Sequence, residues 1–269
     1  MASGPGPHPQ SWPRSTLLAQ LYDWEHDEFQ ADVQLYSALG RRTEGPALEL
    51  ACGTGRVLAG LARDGLEVVG VDHSPEMLGR ARRRLGSFGS RVNLLHGDIT
   101  QDFPPGPFGL IVFALDAFGL IAEARQQLAV LQRVRANLAP LGVAALDLVH
   151  AMPLADQPEG IPVLQRTGDD REIAAHVTKW LVRSFYPATQ ALELFSLYDI
   201  TWSDGSVARV TDQTRLRYFS RYEVELLLAA AGLEIEGIYG DYGLGPFEDG
   251  SERMVIVTRP GRDLGGLID

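Results

Sequence analysis

Leu48-Glu49-Leu50-Ala51-Cys52-Gly53-Thr54-Gly55-Arg56-Val57 is the stretch that decides the fold of this 269-residue chain. It opens as a short apolar run (Ala47, Leu48, Leu50), meets two glycines that flank one residue, and passes into a helical pattern through Val57, Leu58, Leu61 and Ala62. A strand, a tight glycine turn and a helix start, in that order, aim backbone N–H groups at a ligand. Gly53 and Gly55 can adopt angles that a side chain forbids, and they let a ligand come close to the main chain. A dinucleotide fingerprint asks for a third small residue to bring helix and strand together. Counted from Gly53, that position is Leu58.

Glu49 suits a different ligand. S-adenosylmethionine (SAM) ends in a methionine moiety that carries both an ammonium and a carboxylate. The helix start can receive the carboxylate, and Glu49 can attract the ammonium, directly or through water. On Glu49, Ala51, Gly53 and Gly55 the chain resembles the class I SAM-dependent methyltransferases, whose first motif is acid-x-Gly-x-Gly-x-Gly. Ala51 takes the place of the first glycine. The resemblance makes Glu49, Gly53, Gly55 and Arg56 cofactor-binding candidates.

Acids recur at the ends of the following apolar runs. Leu66 to Val71 reads as a second buried strand ending at Asp72, about 20 residues past the turn, where an acid can take hydrogen bonds from ribose hydroxyls. Ser74-Pro75 opens the next helix, with Pro75 in a tolerated first-turn position. By resemblance, Met77 packs near the adenine. Its four arginines (Arg80, Arg82, Arg83, Arg84) read as a solvated face. Val92 to Ile99 supplies a third strand ending in Gly97-Asp98, which matches the family's adenine-recognition motif: Asp98 accepts from the exocyclic amine and Ile99 packs on the ring. His96 reads as structural. Phe108 to Leu115 is the fourth strand, with Leu115 a further cofactor candidate, and it stops at Asp116. A helix through Leu128, Leu131, Val134 and Leu138 ends at Pro140 and Gly142. Val143 to Val149 is the fifth strand and ends at His150. Strands alternating with helices imply an α/β, doubly wound, mostly parallel sheet, whose ligands bind beyond the carboxyl ends of the strands.

Ahead of the glycine motif, Leu21-Tyr22-Asp23-Trp24-Glu25 precedes a helical pattern through Phe29, Val33, Tyr36 and Leu39. In related small-molecule methyltransferases this segment closes over the cofactor and the tyrosine lies near the sulfonium, which makes Tyr22 a cofactor-binding and catalytic candidate. Its other reading is an aromatic anchor of a surface helix.

From Met152 the rhythm changes to β-like runs at 173–182, 192–202 and 207–219, separated by turns at 186–190 and 203–206. Ser220-Arg221-Tyr222-Glu223 is a capping box for a helix closed by Gly232. Leu233 to Tyr239 and Met254 to Thr258 complete the sheet as an antiparallel hairpin. The expected organisation is a disordered tail over 1–16, a seven-stranded Rossmann-like SAM domain over 17–150 and 220–269, and an inserted antiparallel β lid or substrate subdomain over 151–219.

Composition narrows the function. The net charge of -11 argues against a nucleic-acid partner, and 45% hydrophobic residues suffice for a large core. The basic residues are nearly all arginine, Lys179 being the only lysine. Cys52, the only cysteine, reads as a small apolar residue, so neither a disulfide nor a cysteine metal cluster is expected. No apolar run reaches the ~20 residues that span a bilayer, and no secretory signal is seen, so a cytoplasmic protein without a membrane partner is expected. A homodimer is compatible with the sequence.

The resulting expectation is a SAM-dependent methyltransferase acting on an amine or hydroxyl of a small molecule. Methyl transfer is an in-line displacement, so the protein must chiefly hold donor and nucleophile together and exclude water. No metal-ligand spacing is visible. The insert and the Phe219-Ser220-x-x-Glu223 helix start resemble sugar amine methyltransferases and, more loosely, glycine N-methyltransferase. Some of these carry a histidine just after the fourth strand, where Leu120 stands here. Asp116, His150 and Tyr22 are then the polar candidates for catalysis. The competing readings are an NAD(P)-dependent oxidoreductase and a non-catalytic SAM-binding regulatory protein.

Overall fold

The computed structural model describes residues 12–151 and 159–261. The chain divides into two compact units, one drawn from Met1–Glu28 and Gln157–Leu216, the other from Phe29–Asp156 and Arg217–Asp269.

The larger unit is a seven-stranded sheet. Its strands are β1 (Ala47–Leu50), β2 (Val68–Asp72), β3 (Val92–His96), β4 (Phe108–Phe113), β5 (Leu138–Val149), β10 (Leu233–Tyr239) and β11 (Arg253–Pro260). They lie in the order β10-β11-β5-β4-β1-β2-β3. β1 pairs in parallel with β2 on one side and β4 on the other, and β11 runs antiparallel to both β5 and β10. β1 and β4 therefore mark the point where the strand order reverses. Helices cover both faces, as parallel strands buried on two sides require. On one face α2 (Ala31–Arg41), α3 (Arg56–Arg63) and α4 (Pro75–Leu85) pack against Ala47, Val68, Leu110, Val112 and Val255. On the other, α5 (Ala124–Asn137) and α6 (Arg221–Ala230) pack against Leu48, Leu50, Ile111, Leu146 and Ile256.

Local rules account for the element ends. Ser74 Oγ accepts from the Met77 N–H at 3.3 Å to start α4, and Ser220 Oγ accepts from the Glu223 N–H at 3.4 Å to start α6. Gly232, at φ 75°, closes α6. The strand expected from Val143 begins earlier: α5 ends at Asn137, and β5 takes Leu138 through Pro140 and Gly142, with a shift in its pairing to β4 between Phe108 and Leu110. Pro140 and Gly142 break the helix as expected, but an irregular strand accommodates them.

The smaller unit is a four-stranded antiparallel sheet of β6 (Val163–Asp170), β7 (Ala175–Tyr186), β8 (Ala191–Thr201) and β9 (Val207–Arg217), with α1 (Arg14–His26). Three of its strands were expected. β6 was not, because Gln165, Arg166, Thr167 and Asp169 show no apolar alternation and only pairing with β7 makes the segment a strand. The inserted sheet otherwise matches the sequence reading, but the division of the N-terminus differs. The tail expected over 1–16 lies outside the described residues through 11, and Pro13 with its fixed φ already opens α1. α1 is grouped with the inserted sheet, not with the seven-stranded one. Leu17, Leu21 and Trp24, one helical face, pack with Val177, Tyr198 and Ile200, and Trp12 and Trp202 join this core. Polar ties also hold the helix. Gln20 donates to Asp170 at 2.6 Å, Lys179 pairs with Glu25, and the Tyr198 hydroxyl donates to Glu25 at 3.1 Å. Trp180 lies half-buried on the other side of β7.

Just beyond β4, Phe118 is fully buried, with ring centroids 5.4 Å from both Phe113 and Phe219. Removing such a ring loses transfer energy and opens a cavity, so Phe118→Ala should cost about 3–5 kcal/mol. Urea unfolding followed by far-ultraviolet circular dichroism measures it, and a loss under about 1 kcal/mol would contradict the packing described.

Candidate active site

The larger unit brings the ends of β1 to β5 to one edge. The turn after β1 is built on left-handed residues: Ala51 at φ 59°, Gly53 at 52° and Gly55 at 75°. Ala51 adopts the conformation a glycine would take more cheaply. At Gly55 there is a second demand, since a Cβ would come within 2.9 Å of Leu85 and 3.2 Å of Ala81 on α4. Leu58, which broke the dinucleotide pattern, is fully buried, and its close approach to the sheet is made at Gly70 of β2, where a Cβ would lie 2.6 Å from Leu58 Cδ1. Cys52 is buried against the same glycine.

Asp72, at the end of β2, fastens this turn. One carboxylate oxygen accepts from the Gly53 N–H at 2.8 Å and the other from the Ser74 N–H at 2.8 Å. Each oxygen keeps a second lone pair for a further donor. Met77 lies half-buried on the first turn of α4. Beyond β3, Asp98 is exposed and accepts at 2.8 Å from both the N–H and the hydroxyl of Thr100, which hold its carboxyl below the usual range. Ile99 beside it is buried, and His96 Nε2 bonds to the His73 carbonyl at 2.9 Å.

Glu49 is buried with one carboxylate oxygen lacking any hydrogen-bond partner among the described residues. Burial pushes its carboxyl from 4.5 up to about 8, against the pull of Arg56. The Thr54 hydroxyl, in the turn itself, is likewise buried without a partner. Two orphaned polar atoms in and just before one glycine turn fit a ligand with polar groups of its own. Arg56 is committed within the protein. It forms a two-pronged pair with the fully buried Asp32 of α2 at 2.7 and 2.5 Å, donates to the Phe29 carbonyl at 2.7 Å, and lies 5.5 Å over the Phe29 ring.

The end of β4 carries two consecutive left-handed residues, Leu115 at φ 45° and Asp116 at 66°. Such a pair costs energy and persists only where its surroundings enforce it. Here Asp147 of β5 does so. Fully buried, it accepts from the Leu115 N–H at 3.0 Å, the Tyr242 hydroxyl at 2.7 Å, and Arg253 Nε and Nη2 at 2.7 and 2.5 Å. Burial raises its pKa while Arg253 opposes the rise. Arg253 also donates to Asp116 at 2.9 Å, and Asp116 accepts from the Val149 N–H. Burial works against the Arg253 charge, yet the two aspartates hold its pKa well above the usual value. Both oxygens of Asp116 are thus engaged by the protein.

His150, at the end of β5, donates from Nδ1 to the Ser251 carbonyl at 2.7 Å, because a carbonyl can only accept. That bond fixes the tautomer and leaves Nε2 as the basic nitrogen. Phe247 packs against the ring, 4.8 Å between centroids. Tyr22 belongs to the other unit. It lies on α1 in the smaller unit, with its ring 4.5 Å from His26.

The structure thus brings Glu49, Gly53, Gly55, Asp72, Asp98, Leu115, Asp116 and His150 to the carboxyl edge of one sheet. The sequence reading missed Asp32, Asp147, Arg253 and Phe247. Asp147 and Arg253 look like ordinary strand residues; only an acid facing inward from an otherwise apolar β5 hints at a role. Among the described residues no cluster suited to a metal ion is found, and no helix is long and apolar enough to cross a membrane.

Residues 47–142 match the family of methyltransferase domains. The chain is 28% identical to the dTDP-3-amino-3,6-dideoxy-alpha-D-glucopyranose N,N-dimethyltransferase of Streptomyces fradiae, over 83% of this chain and 86% of that protein. It is also 28% identical to the cypemycin N-terminal methyltransferase of a Streptomyces species, over 78% of this chain and 81% of the relative. Its fold is that of a S-adenosylmethionine-dependent methyltransferase from Clostridium acetobutylicum, with a TM-score of 0.75 over 91% of this chain and 98% of the other, at 21% identity. Residues 47–142, which hold the glycine turn and the acids at successive strand ends, are thus a methyltransferase domain, and the chain is similar to SAM-dependent methyltransferases over most of its length.

Proposed function

We propose that the chain methylates the nitrogen of a small-molecule amine. One observation carries this: the carboxyl edge holds more acid than base. Asp32 cancels Arg56, Arg253 offsets only one of Asp116 and Asp147, and Asp72 and Asp98 have no basic partner among the described residues other than His73, 3.8 Å from Asp72. Bound SAM supplies a methyl group on a positive sulfur. Transfer to a neutral amine moves that positive charge onto nitrogen, so the edge faces a cation before and after. An ionised hydroxyl would have to approach as an anion against the same carboxylates. One curated relative is an N,N-dimethyltransferase by name and another an N-terminal methyltransferase, which supports the reading.

In this reading Gly53, Gly55 and the start of α3 receive the methionine end. Asp72 faces the ribose, Met77, Asp98 and Ile99 surround the adenine, and Leu115 lines the methyl. Arg56 acts by bracing the turn through Asp32. The nitrogen lone pair forms the new N–C bond as the S–C bond breaks with its electrons on sulfur, and the surplus N–H proton passes to His150 Nε2. His150 takes this step in preference to Asp116, whose oxygens are occupied, and Tyr22 is given no step.

The test pairs amines with their hydroxyl counterparts, for example an amino sugar against the parent sugar, and follows release of S-adenosylhomocysteine. Amines should be preferred by about a hundredfold or more in kcat/KM; equal turnover of the hydroxyl partners rejects the proposal. His150→Gln should lower kcat at least about a hundredfold with SAM affinity unchanged. Wild-type kcat in that variant removes His150 from the mechanism.

We infer that Glu49 receives the donor's ammonium. With its folded pKa raised from 4.5 to about 8, this group stabilises the free protein fully below about 4.5, and that contribution is lost as pH rises through about 8. An ammonium beside it favours the carboxylate, so binding should release a proton and SAM should bind more tightly at about pH 8 than at about pH 6. Glu49→Gln should flatten both the pH dependence of Tm and that of the SAM Kd. A Kd that keeps its pH dependence in the variant places the linkage elsewhere.

A further inference from the structure

We propose that the Asp116–Arg253–Asp147 cluster reads the charge of the donor, favouring the positive sulfonium of SAM over the neutral thioether of S-adenosylhomocysteine. The inference rests on the methyltransferase activity and is independent of which acceptor is used.

Place is the first argument. β4 lies between β1 and β5, so the Leu115–Asp116 turn stands between the glycine turn and His150. Asp147 and Val149 of β5 and Arg253 of β11 close around it, with Arg253 in register with Val149. The cluster thus occupies the interval between the cofactor cradle and the base, which is where a transferred methyl must pass.

Charge is the second. Asp147 accepts four hydrogen bonds, two at each oxygen, and so acts as a carboxylate. Asp116 accepts from an N–H and from Arg253. Two carboxylates against one guanidinium leave one negative charge over. The side chains of Asp116 and Arg253 are only 17% and 19% exposed and that of Asp147 is fully buried, so solvent screens this excess weakly.

The third is economy of structure. One aspartate paired with Arg253 would suffice as a brace, and partly buried ions are costly to add. The second aspartate instead sits on a left-handed residue, where the neutral asparagine would fit as well. A surplus carboxylate kept at that cost, beside the path of a cation, fits charge recognition better than support. It also gives the reaction a direction: once the methyl has left, the thioether loses the attraction and the spent donor is held less tightly.

Isothermal titration of the full chain with SAM and with S-adenosylhomocysteine tests this without an acceptor. Asp116→Asn keeps an oxygen for the Val149 N–H and tolerates the left-handed backbone, but removes the surplus charge. It should weaken SAM about tenfold while S-adenosylhomocysteine stays within about twofold. Asp147→Asn should shift the same ratio and serves if Asp116→Asn fails to fold by circular dichroism. Tyr242→Phe, which loses a hydrogen bond to Asp147 and no charge, should leave the ratio at its wild-type value. Equal weakening of both ligands in the aspartate variants, or no weakening of either, overturns the proposal. A wild-type chain that binds neither ligand overturns the donor assignment itself.

Discussion

The guanidinium of Arg253 holds one corner of the carboxyl edge of the seven-stranded sheet together. It reaches from the first residue of β11 to carboxylates on β5 and just beyond β4, and so ties three strand ends into one rigid corner. Without it, Asp147 and Asp116 would be like charges in a poorly solvated place, beside the left-handed pair at Leu115 and Asp116 that Asp147 enforces. The Tyr242 hydroxyl adds the loop between β10 and β11 to the same carboxylate, and Phe29 meets the Tyr242 ring edge-on at 5.4 Å. Through Phe29 the corner connects to Arg56 and Asp32, and thus to the glycine turn.

Much of this was legible in advance, for a plain reason. Parallel strands are written as continuous apolar runs, and a chain that must stop each run at a ligand announces the place with a polar residue. Asp72, Asp98, Asp116 and His150 were each found that way, and Glu49 by its spacing from two glycines. Arg253 and Asp147 were not, since they meet across 106 residues and the one local hint is an acid within the apolar β5. The grouping of the first helix with the inserted sheet was hidden for a related reason. Leu17, Leu21 and Trp24 reveal an apolar face but not which sheet it covers, and only the ties to Asp170, Lys179 and Tyr198 decide that.

Residues read as candidates also divide by what they touch. Arg56 and Asp116 were singled out by position, and both prove to be engaged by their own protein. Glu49 and Thr54 keep atoms that nothing in the chain satisfies. Position along a motif finds the neighbourhood, and the inventory of bonds made and unmade separates the groups that brace the turn from those with bonding capacity left over.

The tryptophans are distributed unevenly. Trp12, Trp24, Trp180 and Trp202 all belong to the smaller unit, whereas the glycine turn and His150 belong to the larger, which has none. Indole fluorescence therefore reports from the smaller unit. Any change of emission on adding the methyl donor would register in the unit that does not carry the glycine turn, and its time course would clock that response.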